Sequence, residues 1–207
     1  MKDLIIIGGE GPDALDVDEK SYDRIIAADS GYDRAKKLSL RADLTVGDMD
    51  STSYKEIENS VLYPADKDYT DFELALMKRK NKSYDLIGGG GGRLDHSIAI
   101  LQDFYKYGFP VRWFTSREVI YFSSSFEIKS DIVFPLSIVP LYECSLETEG
   151  LFWDIKKDKV SPLYISLSNR VEKTRCRIRS DKSLMLLIPL EFFSPEGRIE
   201  VCLSTED

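Results

Sequence analysis

Ala42-Asp43-Leu44-Thr45-Val46-Gly47-Asp48-Met49-Asp50-Ser51 reads as a short buried strand that stops at a glycine and opens into a loop carrying two aspartates. A brief apolar run bounded by turn residues suits a parallel strand covered on both faces. The pattern recurs on both sides. Strand-like runs at Leu4–Ile7, Arg24–Ala28, Asp43–Val46, Val61–Tyr63, Tyr84–Ile87 and Val111–Thr115 alternate with amphipathic stretches, as in βαβ units. Leu94, Ile98, Leu101 and Tyr105 recur at helical spacing, so a helix there is expected to lay that stripe on the sheet until Gly108-Phe109-Pro110 stops it.

After Ser123-Ser124-Ser125 the helical period disappears. Phe126–Lys129, Ile132–Tyr142, Tyr164–Leu167, Thr174–Arg179 and Leu184–Leu190 read as strands joined by turn residues, the pattern of an antiparallel sandwich or barrel. With 207 residues the chain is long enough for two cores. The expected organisation is an α/β domain with a mostly parallel, Rossmann-like sheet over residues 1–124 and an all-β sandwich over residues 125–207.

An apolar fraction of 43% with 31% charged residues fits a folded globular protein. The run from Ile132 to Tyr142 is interrupted by Pro135, Ser137 and Pro140 and is too short to span a bilayer. Met1-Lys2-Asp3-Leu4 leads straight into a strand rather than a signal-like apolar core, so a cytoplasmic location is expected and a membrane partner is not. Cys144, Cys176 and Cys202 are odd in number and lack CxxC spacing, which argues against a zinc site or a disulfide framework. A net charge of -8 disfavours nucleic acid. It does not disfavour a polyphosphate, provided a divalent cation sits between the carboxylates and the ligand.

In an open parallel sheet the ligand crevice lies outside the carboxyl ends of the strands. The expected strands end in Gly8-Gly9, Asp29-Ser30-Gly31, Gly47-Asp48-Met49-Asp50-Ser51, Asp66-Lys67-Asp68 and Gly88-Gly89-Gly90-Gly91-Gly92, so glycines and carboxylates share one rim. Asp48 and Asp50 present hard oxygen donors of the kind Mg²⁺ takes; the same residues also make Asx turns and helix caps. Thr70 with Glu73 is a capping-box pair, with Asp71 in the first helical turn. That reading leaves Asp66 and Asp68 unexplained, and Lys67 fits either a phosphate or its acidic neighbours. Five glycines before Arg93 suggest close backbone approach to a ligand, with helix-start amides and Arg93 as phosphate donors. Neither GxxxxGK[ST] nor GxGxxG is present. Asp95 and Ser97 suit a cap or the site, and His96 suits a structural hydrogen bond. In the second half, Trp153 is either a stacking platform or core, while Ser168 and Asn169 either read polar ligand edges or form a turn.

Taken together, the segments at 28–51 (ADSGYDRAKKLSLRADLTVGDMDS), 66–76 (DKDYTDFELAL), 88–101 (GGGGGRLDHSIAIL), 150–155 (GLFWDI) and 165–169 (ISLSN) resemble the thiamine pyrophosphokinase family. The resemblance implies an α/β domain followed by a β-sandwich, and a homodimer with active sites between subunits. It implies transfer of the diphosphate of ATP to the hydroxyethyl oxygen of thiamine, giving thiamine diphosphate and AMP, with Mg²⁺ as cofactor. Asp48, Asp50 and Asp71 would then hold metal and phosphate, followed by Asp68 and Asp29. Arg93 would be a catalytic charge, and Thr70, Gly92 and Asp95 would belong to the nucleotide or diphosphate region. Trp153, Ser168 and Asn169 would belong to the thiamine pocket. Met49 stands where the family usually has Phe, and Ser30 where glycine is common; neither change removes a charge. Two other readings are a diphosphokinase for hydroxymethyldihydropterin or a similar alcohol, and a non-catalytic thiamine or nucleotide sensor.

Overall fold

The apolar runs of the first half form β1 (Asp3–Ile6), β2 (Arg24–Ala28), β3 (Leu44–Gly47), β4 (Ser60–Leu62), β5 (Tyr84–Ile87) and β6 (Arg112–Phe114). The computed structural model describes residues 1–193 and 199–203, and among these it is mostly β, with thirteen strands and three α-helices. The first six strands lie in the order β4-β3-β2-β1-β5-β6, and every pairing among them is parallel. Leu4, Ile5, Ile6, Ile26, Leu86 and Ile87 are fully buried, as expected for strands covered on both faces. The chain runs outward on one side from β1 to β4 and resumes on the other side with β5 and β6. The order therefore reverses between β1 and β5, where a crevice forms at the carboxyl ends.

Three helices pack on these strands: α1 (Gly31–Lys37), α2 (Asp71–Met77) and α3 (Leu94–Tyr107). The helix stop at Gly108 is as expected, with φ +96°. The face that α3 buries is not. Leu94 is 74% exposed, and Ile98 and Tyr105 are exposed too, while Ile100, Asp103 and Phe104 are buried. Phe104 decides this orientation, because its ring packs edge-on against Phe72 at 6.2 Å and Trp113 at 5.4 Å.

The chain divides into two units, Met1–Arg117 and Glu118–Asp207. The division falls before the serine run, because Ser123, Ser124 and Ser125 lie inside β7 (Glu118–Ser130) rather than in a linker. The second unit continues with β8 (Phe134–Pro140), β9 (Cys144–Glu149), β10 (Lys156–Val160), β11 (Ser166–Val171), β12 (Arg175–Pro189) and β13 (Ile199–Leu203). Its pairings are all antiparallel. The two strands expected across residues 174–190 are one strand, β12, whose register against β7 shifts between Arg179 and Leu184. Residues 177–179 pair with β9 and residues 184–187 with β8. Alternating burial along β8 and β12 supplies the core. No described helix is long and apolar enough to cross a membrane.

Candidate active site

Gly47 ends β3 at φ +137°, a conformation that L side chains rarely adopt. A Cβ there would lie 3.0 Å from Asp71 Oδ1 and 3.2 Å from Asp29 Cβ, so the glycine is what lets the two acids approach β3. Met49 (φ +61°) and Asp29 (φ +46°) are also left-handed, and such backbone strain concentrates at functional sites. The Asx-turn reading of Asp48 is realised in part, since the Asp50 amide donates to Asp48 Oδ1 at 3.3 Å. Ser51 Oγ donates to Asp50 Oδ1 at 2.7 Å. From α1, Asp33 fixes the far end of the loop by accepting from Thr52 Oγ1 at 2.5 Å and from the Ser53 amide at 3.0 Å. As a result, carboxylate oxygens of Asp29, Asp48 and Asp50 lie within 4.8 Å of one another.

Asp71 is placed by the start of α2. Its preceding residue, Thr70, makes the expected capping box: the Glu73 amide donates to Thr70 Oγ1 at 3.1 Å, and the Thr70 amide donates to Glu73 Oε2 at 3.0 Å. Asp71 does not join the three-carboxylate group but pairs with Lys67, whose Nζ lies 3.1 Å from Asp71 Oδ1 and 3.4 Å from Asp48 Oδ2. Asp71 Oδ1 is buried and its contact with Lys67 is an ion pair without hydrogen-bond geometry. Burial pushes the Asp71 carboxyl above the usual carboxylate range, and the charges of Asp48 and Asp29 add to this against the opposing pull of Lys67. The Asp50 amide and the Lys67 ammonium instead hold Asp48 below that range.

The glycine run is more committed than its composition suggests. The amides of Gly88, Gly89 and Gly90 donate to the carbonyls of Phe114, Gly8 and Glu10 at 3.0, 2.8 and 2.8 Å. These three glycines knit strand ends together and do not offer amides to a ligand. Gly91 and Gly92, at φ +65° and +73°, are exposed and make no hydrogen bond among the described residues. Arg93, with its side chain 76% exposed, pairs with Asp95 at 2.5 Å and stays apart from the aspartate group.

One cleft of about 510 Å³ gathers Asp29, Asp48, Asp50, Thr70, Asp71, Gly92 and Arg93. Asp68 and Asp95 are not among its lining residues; both are exposed. The cleft also contains Lys67, which the sequence left ambiguous, and Ala99, Ile100 and Asp103, which it missed. Only the other stripe of α3, the one holding Ile100 and Phe104, would have drawn attention to Asp103.

In the second unit Trp153 is 56% exposed, so it is not a core residue. Its ring meets Phe152 edge-on at 4.5 Å, and the Arg170 guanidinium lies 3.5 Å from the Phe152 centroid and 5.6 Å from that of Trp153. Asn169 is only 1% exposed and its amide is occupied. Nδ2 donates to the Trp153 carbonyl at 2.8 Å, while Oδ1 accepts from the Trp153 and Arg170 amides at 3.2 and 2.9 Å. Asn169 therefore holds the Trp153 turn in place and does not face outward. Asp154 completes that turn by accepting from the Gly150 and Leu151 amides at 3.2 and 3.0 Å. Ser168 is exposed, left-handed at φ +51°, and donates its amide to Ser137 Oγ at 3.1 Å.

The donor chemistry of Asp29, Asp48 and Asp50 fits a small hard cation, and the underbonded Asp71 Oδ1 beside them suits a metal-bound water. Comparison of the sequence with curated proteins returns no match. A family model described as thiamin pyrophosphokinase, catalytic domain, matches residues 19–113. Among solved structures, a thiamin pyrophosphokinase family protein from Enterococcus faecalis aligns with TM-score 0.72 at 22% identity, covering 91% of this chain and 98% of that one. Thiamine pyrophosphokinase from Bacillus subtilis gives 0.71 at 21%, covering 91% and 99%. The yeast thiamin pyrophosphokinase gives 0.63 at 18%, covering 93% and 89%. Identities this low show a shared fold, and over residues 19–113, a little under half of the chain, the sequence is similar to the thiamin pyrophosphokinase catalytic domain.

Proposed function

We propose that the protein is a thiamine diphosphokinase that moves the diphosphate of ATP to the hydroxyethyl oxygen of thiamine, releasing AMP. The observation that carries this reading is the convergence of Asp29, Asp48, Asp50, Asp71 and Lys67 in the cleft that Gly92 and Arg93 also line. In this proposal the parallel strands serve as a Rossmann-like nucleotide unit, and the antiparallel strands as a sandwich that supplies thiamine contacts. A homodimer with active sites at subunit interfaces and a cytoplasmic setting belong to the same proposal.

Asp29, Asp48 and Asp50 would hold Mg²⁺, with Asp71 beside them. When bound, Mg²⁺ supplies neutralisation of charge between these carboxylates and the polyphosphate oxygens. Lys67 adds a fixed positive charge, and the open amides of Gly91 and Gly92 give a close approach for phosphate. Arg93 can leave its exposed pairing with Asp95 and stabilise charge on the migrating diphosphate or on departing AMP. The thiamine hydroxyethyl oxygen forms a bond to the β-phosphorus. The bond from that phosphorus to the oxygen bridging to the α-phosphorus breaks, and AMP leaves with the bridging oxygen. The alcohol proton passes to Asp71, whose raised pKa makes it a better acceptor than an ordinary carboxylate. Positioning and charge neutralisation account for most of catalysis in such transfers. Trp153, with Ser168 beside the turn that Asn169 holds, would contact the thiamine rings.

The test is incubation of the purified protein with ATP, Mg²⁺ and either thiamine or hydroxymethyldihydropterin. AMP formation that depends on thiamine supports the proposal. AMP formation that depends on the pterin alone overturns the substrate, and binding of thiamine and ATP without turnover points to a sensor.

A further inference from the structure

Asp103 sits on α3 with its residue only 9% exposed, yet it lines the cleft. Its carboxyl makes no hydrogen bond among the described residues. The charged and titratable groups facing it are Glu73, Lys106 and Tyr84, and their bonds are made elsewhere. Lys106 Nζ donates to Glu73 Oε1 at 2.7 Å, and Tyr84 OH donates to the Gly108 carbonyl at 2.8 Å. Buried carboxyls are ordinarily hydrogen-bonded, so one left open toward a cavity calls for a donor from outside the chain.

The surroundings define that donor. Ala99 and Ile100 precede Asp103 on the same helix face, and Phe72 of α2 also lines the cleft, giving an apolar wall suited to a flat ring. A phosphate would be repelled by Asp103 and has Lys67, Gly92 and Arg93 in the same cleft. We propose that Asp103 is a specificity residue that recognises the amino-bearing edge of a heteroaromatic ring seated against the α3 wall. Both substrates of the proposed reaction, on which this inference rests, carry such an edge: an amino group next to a ring nitrogen, on adenine and on the aminopyrimidine of thiamine. The carboxyl accepts from the amino group. When protonated it also donates to the ring nitrogen, and a pKa raised to about 6 by burial and then by the Glu73 charge makes that form accessible.

The test is calorimetric binding, in Mg²⁺, of two ligand pairs to the full chain: ATP against purine riboside 5′-triphosphate, and thiamine against oxythiamine. Wild type is expected to prefer the amino member of one pair by roughly tenfold, about one good hydrogen bond. Asp103→Ala should reduce that preference to within about twofold. Asp103→Asn, which keeps an acceptor oxygen, should retain part of it and serves alone if the alanine variant does not fold. Collapse of the ATP pair assigns the ring to adenine, and collapse of the thiamine pair assigns it to the aminopyrimidine. Equal preferences in wild type and both variants, or no amino preference in wild type, overturn the inference and leave the proposed function standing. Wild type that binds neither ATP nor thiamine overturns both.

Discussion

Replacing Asp103 by Asn should make the ligand-free protein more stable at neutral pH but not in acid. The carboxyl is held near a pKa of about 6 against an ordinary 3.8, chiefly by burial and then by the Glu73 charge. A difference of that size corresponds to about 3 kcal/mol at most, at 1.36 kcal/mol per unit. Because Asp103 lines the cleft rather than a closed core, screening reduces the expected effect to about 1–2 kcal/mol. The folded state keeps its proton to a higher pH than the unfolded state. Between about 3.8 and 6 the unfolded chain binds fewer protons, so stability falls as pH rises through that window. The penalty is absent below it and complete above it. Asn carries no charge at any pH, so the variant escapes the penalty. Urea unfolding of both proteins at pH 4 and pH 7.5 measures the change, and taking the difference between them cancels every other titrating group. The variant's advantage should grow by about 1–2 kcal/mol between the two pH values. An advantage that stays constant, or shrinks, would refute the burial argument for Asp103.

Asp48→Asn and Asp50→Asn should each lower turnover on the order of 100-fold, as loss of a charge-stabilising group does, with Tm close to wild type. Near wild-type rates in both would contradict the cation site. Gly47→Ala forces a side chain into φ +137° and against the Asp71 carboxyl. It should cost at least about 1 kcal/mol in urea unfolding and roughly tenfold in turnover from displacement of Asp71 by tenths of an ångström; a stable, fully active variant would remove Gly47 from the site. Trp153→Ala should raise the KM for thiamine more than that for ATP in steady-state kinetics, whereas equal changes would point to a purely structural tryptophan.

The first unit was legible because its strands are short apolar runs ending in glycine or aspartate. Each expected strand from Leu4 to Thr115 lies within two residues of an observed one. The capping box at Thr70 and Glu73 was legible for the same reason, since both of its bonds are local. Tertiary packing decided the rest. The Leu94, Ile98 and Tyr105 stripe and the Ile100–Phe104 stripe of α3 are both apolar at helical spacing, and only the contacts of Phe104 with Phe72 and Trp113 choose between them. Choosing the wrong stripe hid Asp103. β10 is Lys156-Lys157-Asp158-Lys159-Val160, which has no hydrophobic pattern and is held by pairing with β9. The aspartates at 29, 48 and 50 are distant in sequence or separated by a left-handed residue, so their grouping to the exclusion of Asp71 follows from Gly47 and Lys67 rather than from spacing. Asn169 shows the limit of reading residue types: its amide suits a ligand but is spent on the Trp153 turn.

In the proposed reaction the acidic cleft holds ATP, and its diphosphate passes to thiamine as one unit. ³¹P NMR of a reaction containing the protein, ATP, Mg²⁺ and thiamine tests it most directly. AMP and thiamine diphosphate should appear in equal amounts with no ADP, and both should be lost in Asp48→Asn. ADP with thiamine monophosphate, or ATP consumption that does not depend on thiamine, would contradict it.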